Sequence, residues 1–254
     1  MRLWNSQRVA ILLTLTSLAL LAMTAGTAST QDKPNYNPTG SEGTILGTIS
    51  FIGTPPKPLR IDMAADPICY TVNPDPTTDW IVVNDHKLAN VVLYVRSESL
   101  DAYSFDAPST EVTLEHNGCR YMPHVLGMQT NQALKIFNRD PTPQNTHAMT
   151  KNNRDWNQSQ PVGAGALEFR FRSPELFVPM KDNQHPWEKA YVGVFSHPFF
   201  SVSAIDGSYK ISALPPGQYT VVAWHEKLGE QTVDVFLAGS EQRNLNFTFK
   251  ASDR

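Results

Sequence analysis

Three side chains in one short stretch are of types that hold protons or metal ions. Asp182, His185 and Glu188 stand three residues apart in Asp182-Asn183-Gln184-His185-Pro186-Trp187-Glu188. In a tight loop, residues at that spacing can turn to the same side, so one segment can present an imidazole between two carboxylates. Nitrogen and oxygen donors of this kind suit copper(II) or zinc(II). The bland alternative is that Pro186 and Trp187 pin the loop around His185, with Asp182 and Glu188 solvated. Two more histidines, His197 in His197-Pro198-Phe199-Phe200 and His225 in Trp224-His225-Glu226, would favour a site if they gathered with His185.

Thiol chemistry rests on two residues, Cys69 and Cys119. In an exported chain they most simply form one disulfide; otherwise one of them is a metal thiolate. Export is expected from the N-terminus. Arg2 and Arg8 accompany an uncharged apolar run from Val9 to Met23, and Gly26-Thr27-Ala28 offers small residues for cleavage before Ser29. Residues 1–28 therefore read as a signal peptide, and the chain as periplasmic or secreted. The alternative is a retained N-terminal membrane anchor, because the apolar run approaches spanning length.

The elements that must position these groups read as strands. Thr44–Phe51 alternates and is rich in β-branched residues, and Ala89–Val95, Glu111–Glu115, Cys119–Val125, Ala133–Asn138, Leu167–Phe171 and Ala190–Phe195 follow. Shorter strands are expected at Leu59–Met63, Trp80–Val83 and Ser201–Ala204. Asp206-Gly207 marks a hairpin turn before Ser208–Ile211, and strands ending at Trp224, Leu237 and Phe249 complete the chain. No helical period of useful length occurs after the N-terminal segment, and 19 prolines outnumber 14 glycines. Both facts point to an all-β class. Residues 29–42 read as a flexible linker, and residues 139–165 as a long polar loop. A net charge of -3 gives no basic footprint, so nucleic acid is not an expected partner. No Gly-x-Ser-x-Gly, phosphate-loop or His-Glu-x-x-His motif is present, so no enzyme is expected.

The stretch from Asp182 to Val194 resembles the ligand loop of a cupredoxin, the small β-sandwich that holds a blue copper ion. In the closest sub-group that loop reads Cys-x-x-His-Pro-Trp-Met. Lys135-Ile136-Phe137-Asn138-Arg139-Asp140 is similar to the strand that ends in Asn-x-Asp before the first histidine ligand. In this register the thiolate position is Asp182, the thioether position is Glu188 and the first histidine position is Gln144. Of the four usual ligands only His185 stays. The resemblance implies a Greek-key sandwich over residues 110–202 without a blue copper site. If Thr146-His147 takes the place of the missing histidine, His147, His185, Asp182 and Glu188 would form a copper(II) or zinc site of another kind.

A second resemblance covers both flanks. Gly43-Thr44-Ile45-Leu46-Gly47-Thr48-Ile49, Asp206–Ile211 and Leu214-Pro215-Pro216-Gly217-Gln218-Tyr219 are similar to the transthyretin-like regulatory domain of carboxypeptidases. It implies an outer sandwich from residues 43–109 and 203–250, with the cupredoxin-like segment inserted in it or packed on it. In similar proteins a cysteine in Asp-Pro-x-Cys accompanies the second one, which implies a Cys69–Cys119 disulfide. Such sandwiches sit near starch-binding folds, making Trp80, Trp156 and Trp187 candidates for stacking on sugars, Trp156 as the exposed platform. The expectation is a non-enzymatic binding or structural module without a cofactor, meeting a protein or a glycan in the bacterial envelope. The membrane would be reached only through a retained N-terminal segment. Alternatives are a copper-carrying or electron-transfer protein, a carbohydrate-binding module, and an accessory subunit of a membrane complex.

Overall fold

Strand β1 (Gly43–Ile52) buries every second residue, and its inward side chains Ile45, Ile49 and Phe51 are almost wholly shielded from solvent. That is the period of a pleated strand with one face on a core. Gly47 lies on the same face, where a Cβ would come within 1.9 Å of the Leu245 carbonyl oxygen, so only glycine lets the two backbones approach. The structure is a computed structural model, and it describes residues 33–251. The segment read as a signal peptide lies outside the described residues.

In chain order the next strands are β2 (Val83–Asn84), β3 (Lys87–Leu88), β4 (Val92–Arg96), β5 (Val112–His116), β6 (Tyr121–Met122), β7 (Val125–Gln129), β8 (Leu134–Asn138) and β9 (Gln144–Ala148). They are followed by β10 (Trp156–Gln160), β11 (Leu167–Phe169), β12 (Glu175–Lys181), β13 (Lys189–Phe195), β14 (Phe200–Val202) and β15 (Ser208–Leu214). The last four are β16 (Gly217–His225), β17 (Gly229–Leu237), β18 (Gln242–Asn244) and β19 (Phe247–Lys250). Two short helices, α1 (Pro67–Val72) and α2 (Glu98–Asp101), stand among them. The all-β class expected from the sequence holds.

The strands form two sandwiches. In the outer one, β15-β1-β3-β2, with β18 and β19 also on β1, faces β14-β4-β16-β17. Its core includes Ile45, Ile49, Leu93, Val95, Val221 and Phe249. In the inner one, β10-β9-β12-β13-β7 faces β11-β8-β5-β6, around Leu114, Met128, Ile136, Met180, Val192 and Val194. Both of the inner sheets mix directions, with β5 parallel to β8 and β7 parallel to β13. A third apolar cluster of Val92, Tyr94, Val125, Phe195 and Val222 joins the sandwiches. A bulge in β12 places Phe177 at φ 59°, and its ring stacks on Trp224 of β16 at 3.5 Å.

Several local readings are corrected. Residues 139–165 contain the hairpin of β9 and β10. Gln144, Asn145 and Thr146 of β9 are polar and buried on both of its faces, so no apolar alternation marks the strand. Strand β12 is not expected from the sequence, because Pro179 interrupts its short apolar run Leu176-Phe177-Val178. Leu59–Met63 forms only a bridge between Arg60 and Thr77, while Asp66-Pro67 opens α1, with Asp66 as its N-cap. From Lys33 onward the stretch expected to be flexible is tied down. The Tyr36 ring packs on Tyr103 and Phe105, and its hydroxyl donates to Glu42 at 2.7 Å.

Candidate functional site

The turn between β12 and β13 carries Asp182, His185 and Glu188, which are 2%, 4% and 0% exposed. The reading of Asp182 and Glu188 as solvated is therefore overturned. Buried carboxylates need donors, and Asp182 has four. Its Oδ1 accepts the backbone N–H of Gln184 at 2.6 Å and of His185 at 2.8 Å. Its Oδ2 accepts the N–H of Asn145 at 2.6 Å and faces His185 Nδ1 at 3.4 Å. Burial alone would raise this carboxyl. The bonds from His185, Asn145 and Gln184 outweigh it and hold the group below its ordinary value.

His185 bridges two carboxylates. Its Nε2 lies 3.0 Å from Asp66 Oδ2, and Asp66 also accepts the N–H of Ile68 and the hydroxyl of Thr142. Burial works against a charged ring, but Asp182 and Asp66 prevail and raise its pKa to about 9. At neutral pH His185 is an imidazolium with both N–H groups engaged.

On the other side Glu188 Oε2 meets Nδ1 of His116, the last residue of β5, at 2.8 Å. His116 Nε2 is 3.0 Å from Thr146 Oγ1, and Tyr121 covers the ring with centroids 4.3 Å apart. Burial, reinforced by the Asp182 charge, pushes the Glu188 carboxyl well up. Burial also pushes the His116 ring down to about 4. Burial thus favours the neutral couple, in which Glu188 O–H donates to Nδ1 and Nε2–H donates to Thr146. The second Glu188 oxygen, Oε1, is buried without a hydrogen-bond partner.

The flanks of the loop are fixed as firmly. Cys69 of α1 and Cys119, in the turn between β5 and β6, form a disulfide. Gly118 and Cys119 adopt φ 66° and 52°, and Asp140 seats that turn by accepting both N–H groups at 2.7 and 3.0 Å. Gln144 donates to the same carboxylate at 2.9 Å. Trp187 donates its indole N–H to the Cys119 carbonyl at 3.2 Å and packs on Met63 and the disulfide.

The expected grouping of His147 with His185, Asp182 and Glu188 is corrected. Thr146 turns toward His116, so the strand period of two sends His147 to the other face. There its ring meets Asp155 at 3.1 Å and Asn183 at 3.3 Å. His116 occupies the place assigned to it and was missed. The signal was parity: Leu114 is inward in β5, so His116 must be inward too. His197 and His225 do not join His185. His197 bonds the Val95 carbonyl, and His225 accepts the N–H of Lys227. Trp156 is no exposed platform, because its ring packs on Phe169 at 5.0 Å.

The resemblance of this loop to a cupredoxin ligand loop implies copper, and the donors here do not fit a blue copper ion. Both cysteines of the chain are in the disulfide, so no thiolate is available. The lone pairs of Asp182 are taken by four donors, and both nitrogens of His185 face carboxylates. Gln144 stands at the remaining histidine position.

No family model matches the chain, and no curated protein matches it. Solved structures do. A copper-containing nitrite reductase from Thermus scotoductus is similar at 16% identity and TM-score 0.31, over 34% of this chain and 22% of that one. A purple cupredoxin from Nitrosopumilus maritimus is similar at 19% identity and TM-score 0.28, over 33% of this chain and 99% of that one. An oxidised amicyanin variant is similar at 13% identity and TM-score 0.30, over 40% of this chain and 90% of that one. The chain thus spans about a fifth of the nitrite reductase and nearly all of the two small cupredoxins.

Proposed function

We propose that this chain is an exported, non-enzymatic binding module of the cell envelope, built on a cupredoxin-like sandwich whose ligand loop is closed by protons and hydrogen bonds in place of copper. The observation that supports this reading is Asp182. At the thiolate position stands a carboxylate that accepts three backbone N–H groups and faces an imidazolium. The loop therefore has the rigidity a metal would give it, without a free donor pair for one. The outer sandwich, read as carboxypeptidase-regulatory-like, is the platform, and partners are met through its surface and the loops around Trp187.

A second reading is favoured by one observation. Donor atoms of His116, Asp182 and Glu188 lie within 4.8 Å of one another, and Glu188 Oε1 has no partner. Copper(II) or zinc could be held there, with His185 as a fourth donor, only after protons leave Glu188 and His185. Thermal unfolding separates the two. A ligand that binds the folded state raises the midpoint in proportion to the logarithm of its concentration. The module reading expects the same midpoint with copper(II), with zinc(II) and with chelator. A rise that grows with ion concentration and is absent in His116→Gln would favour the metal reading.

A further inference from the structure

The outer sandwich carries a cleft that the loop does not use. It has a volume of about 480 Å³, within the range of small-molecule sites. The strap at residues 54–59 forms one side. It is held to the opposite segment by Thr78, whose N–H donates to the Leu59 carbonyl at 2.9 Å and whose hydroxyl accepts the Leu59 N–H at 3.0 Å. The cleft is therefore preformed. Pro58, Leu59, Ile81 and Leu228 make its walls apolar, and the 36%-exposed face of Trp80 lies at its edge.

Two cations, Lys57 and Lys227, reach the same cleft, and among the described residues no acidic side chain lines it. Lys227 Nζ stands 4.2 Å over the Trp80 ring, which holds the ammonium beside the apolar wall. The neighbouring acid Glu226 is 3.7 Å from that ammonium but is buried and already bonded to His124. Lys57 makes no ion pair among the described residues. A hydrophobic trough with two ammonium groups at its rim matches a ligand with an apolar body and a single anionic head. The walls do not suit a neutral sugar, because among the described residues they carry no Asn, Gln or carboxylate to meet its hydroxyls. Each lysine ammonium is a compact point charge, so the rim attracts one anionic head without requiring a bidentate contact.

We propose that this cleft binds an amphiphilic monocarboxylate, its chain or ring against Trp80 and Leu228 and its carboxylate between Lys57 and Lys227. The inference is independent of what fills the loop around His185. The test is calorimetric titration of the purified protein with decanoate and, in parallel, with 1-decanol. Saturable one-to-one binding of decanoate is expected, at least about tenfold tighter than decanol, a factor that corresponds to about 1.4 kcal/mol. A Lys57→Gln/Lys227→Gln variant, altered only at exposed side chains, should lose that preference while keeping the unfolding midpoint. Trp80→Ala should weaken both ligands. Equal binding of acid and alcohol, an unchanged preference in the double variant, or no saturable binding would overturn the proposal. So would binding to phosphatidylglycerol vesicles with none to free decanoate, which would make the cleft a membrane contact.

Discussion

His116 and Glu188, 72 residues apart in the chain, face each other at 2.8 Å with neither side chain open to solvent. A buried pair of this kind is stable only if its charge is balanced. Here the balance comes from one shared proton, with Thr146 receiving the far ring nitrogen. Around it, Asp182 and His185 form a charged pair that burial does not neutralise, because four donors converge on the carboxylate. The pocket thus holds a neutral couple and a charged couple side by side.

Glu188→Gln tests the neutral couple. The amide N–H can donate to His116 Nδ1 as the acid O–H does, so the loss of stability in urea unfolding should stay within about 1 kcal/mol. His116→Leu leaves Thr146 and Glu188 without their partner and should cost about 1–3 kcal/mol. A loss of about 3–5 kcal/mol for Glu188→Gln would instead mean an ionised pair with a stranded imidazolium.

The charged couple sets a pH dependence. The folded pKa of His185 is raised from 6.5 to about 9. Its contribution is complete below about pH 6.5 and is lost as pH rises through about 9, because the folded state then gives up a proton the unfolded state has already lost. Asp182 and Asp66 have lowered pKa values, so their contribution is present above the ordinary carboxylate range and is lost as pH falls below it. Stability measured by denaturant from about pH 2 to 10 should decline toward both ends. In His185→Gln the decline between about pH 6.5 and 9 should flatten; an unchanged slope there would assign it to another group.

The Cys69–Cys119 bond closes a 50-residue separation and anchors the turn that Asp140 seats. Reduction, or Cys69→Ser with Cys119→Ser, should destabilise the chain by about 2–4 kcal/mol. Hydrogen exchange should show the loss concentrated in α1, the β5–β6 turn and the Trp187 loop. Protection lost evenly over both sandwiches would mean the bridge acts on the unfolded chain alone.

Trp156 is placed as an anchor of the inner sheet rather than a sugar platform. Trp156→Ala should lower the unfolding midpoint through lost packing on Phe169 and leave any retention on polysaccharide resins unchanged. A variant that keeps its midpoint and loses retention would restore the platform reading.

Much of the scaffold was legible because its signals are local. The β1 alternation, the Asp206-Gly207 turn and the His185-Pro186-Trp187 loop all declare themselves within a few residues. What was not legible depends on partners distant in sequence. The buried faces of β9 are Gln144, Asn145 and Thr146, polar residues that resemble a loop until Asp140, Asp182 and His116 supply their hydrogen bonds. His147 stands beside Gln144 in the motif, whereas the pleat sends it outward and brings His116 of β5 to the site. Trp156 stands in a polar stretch, and it is Phe169 and the inner core, distant in sequence, that pack on it.

Metal content tests most directly whether the loop around His185 is closed to copper. The purified protein, prepared without chelator and then offered copper(II), is dialysed and measured for bound metal, with an EPR spectrum of any copper retained. A closed loop retains no stoichiometric copper and gives no signal beyond that of adventitious ion. One equivalent of copper per chain, lost in His185→Ala or His116→Ala and showing nitrogen and oxygen ligation, would contradict it and make the cluster a metal centre.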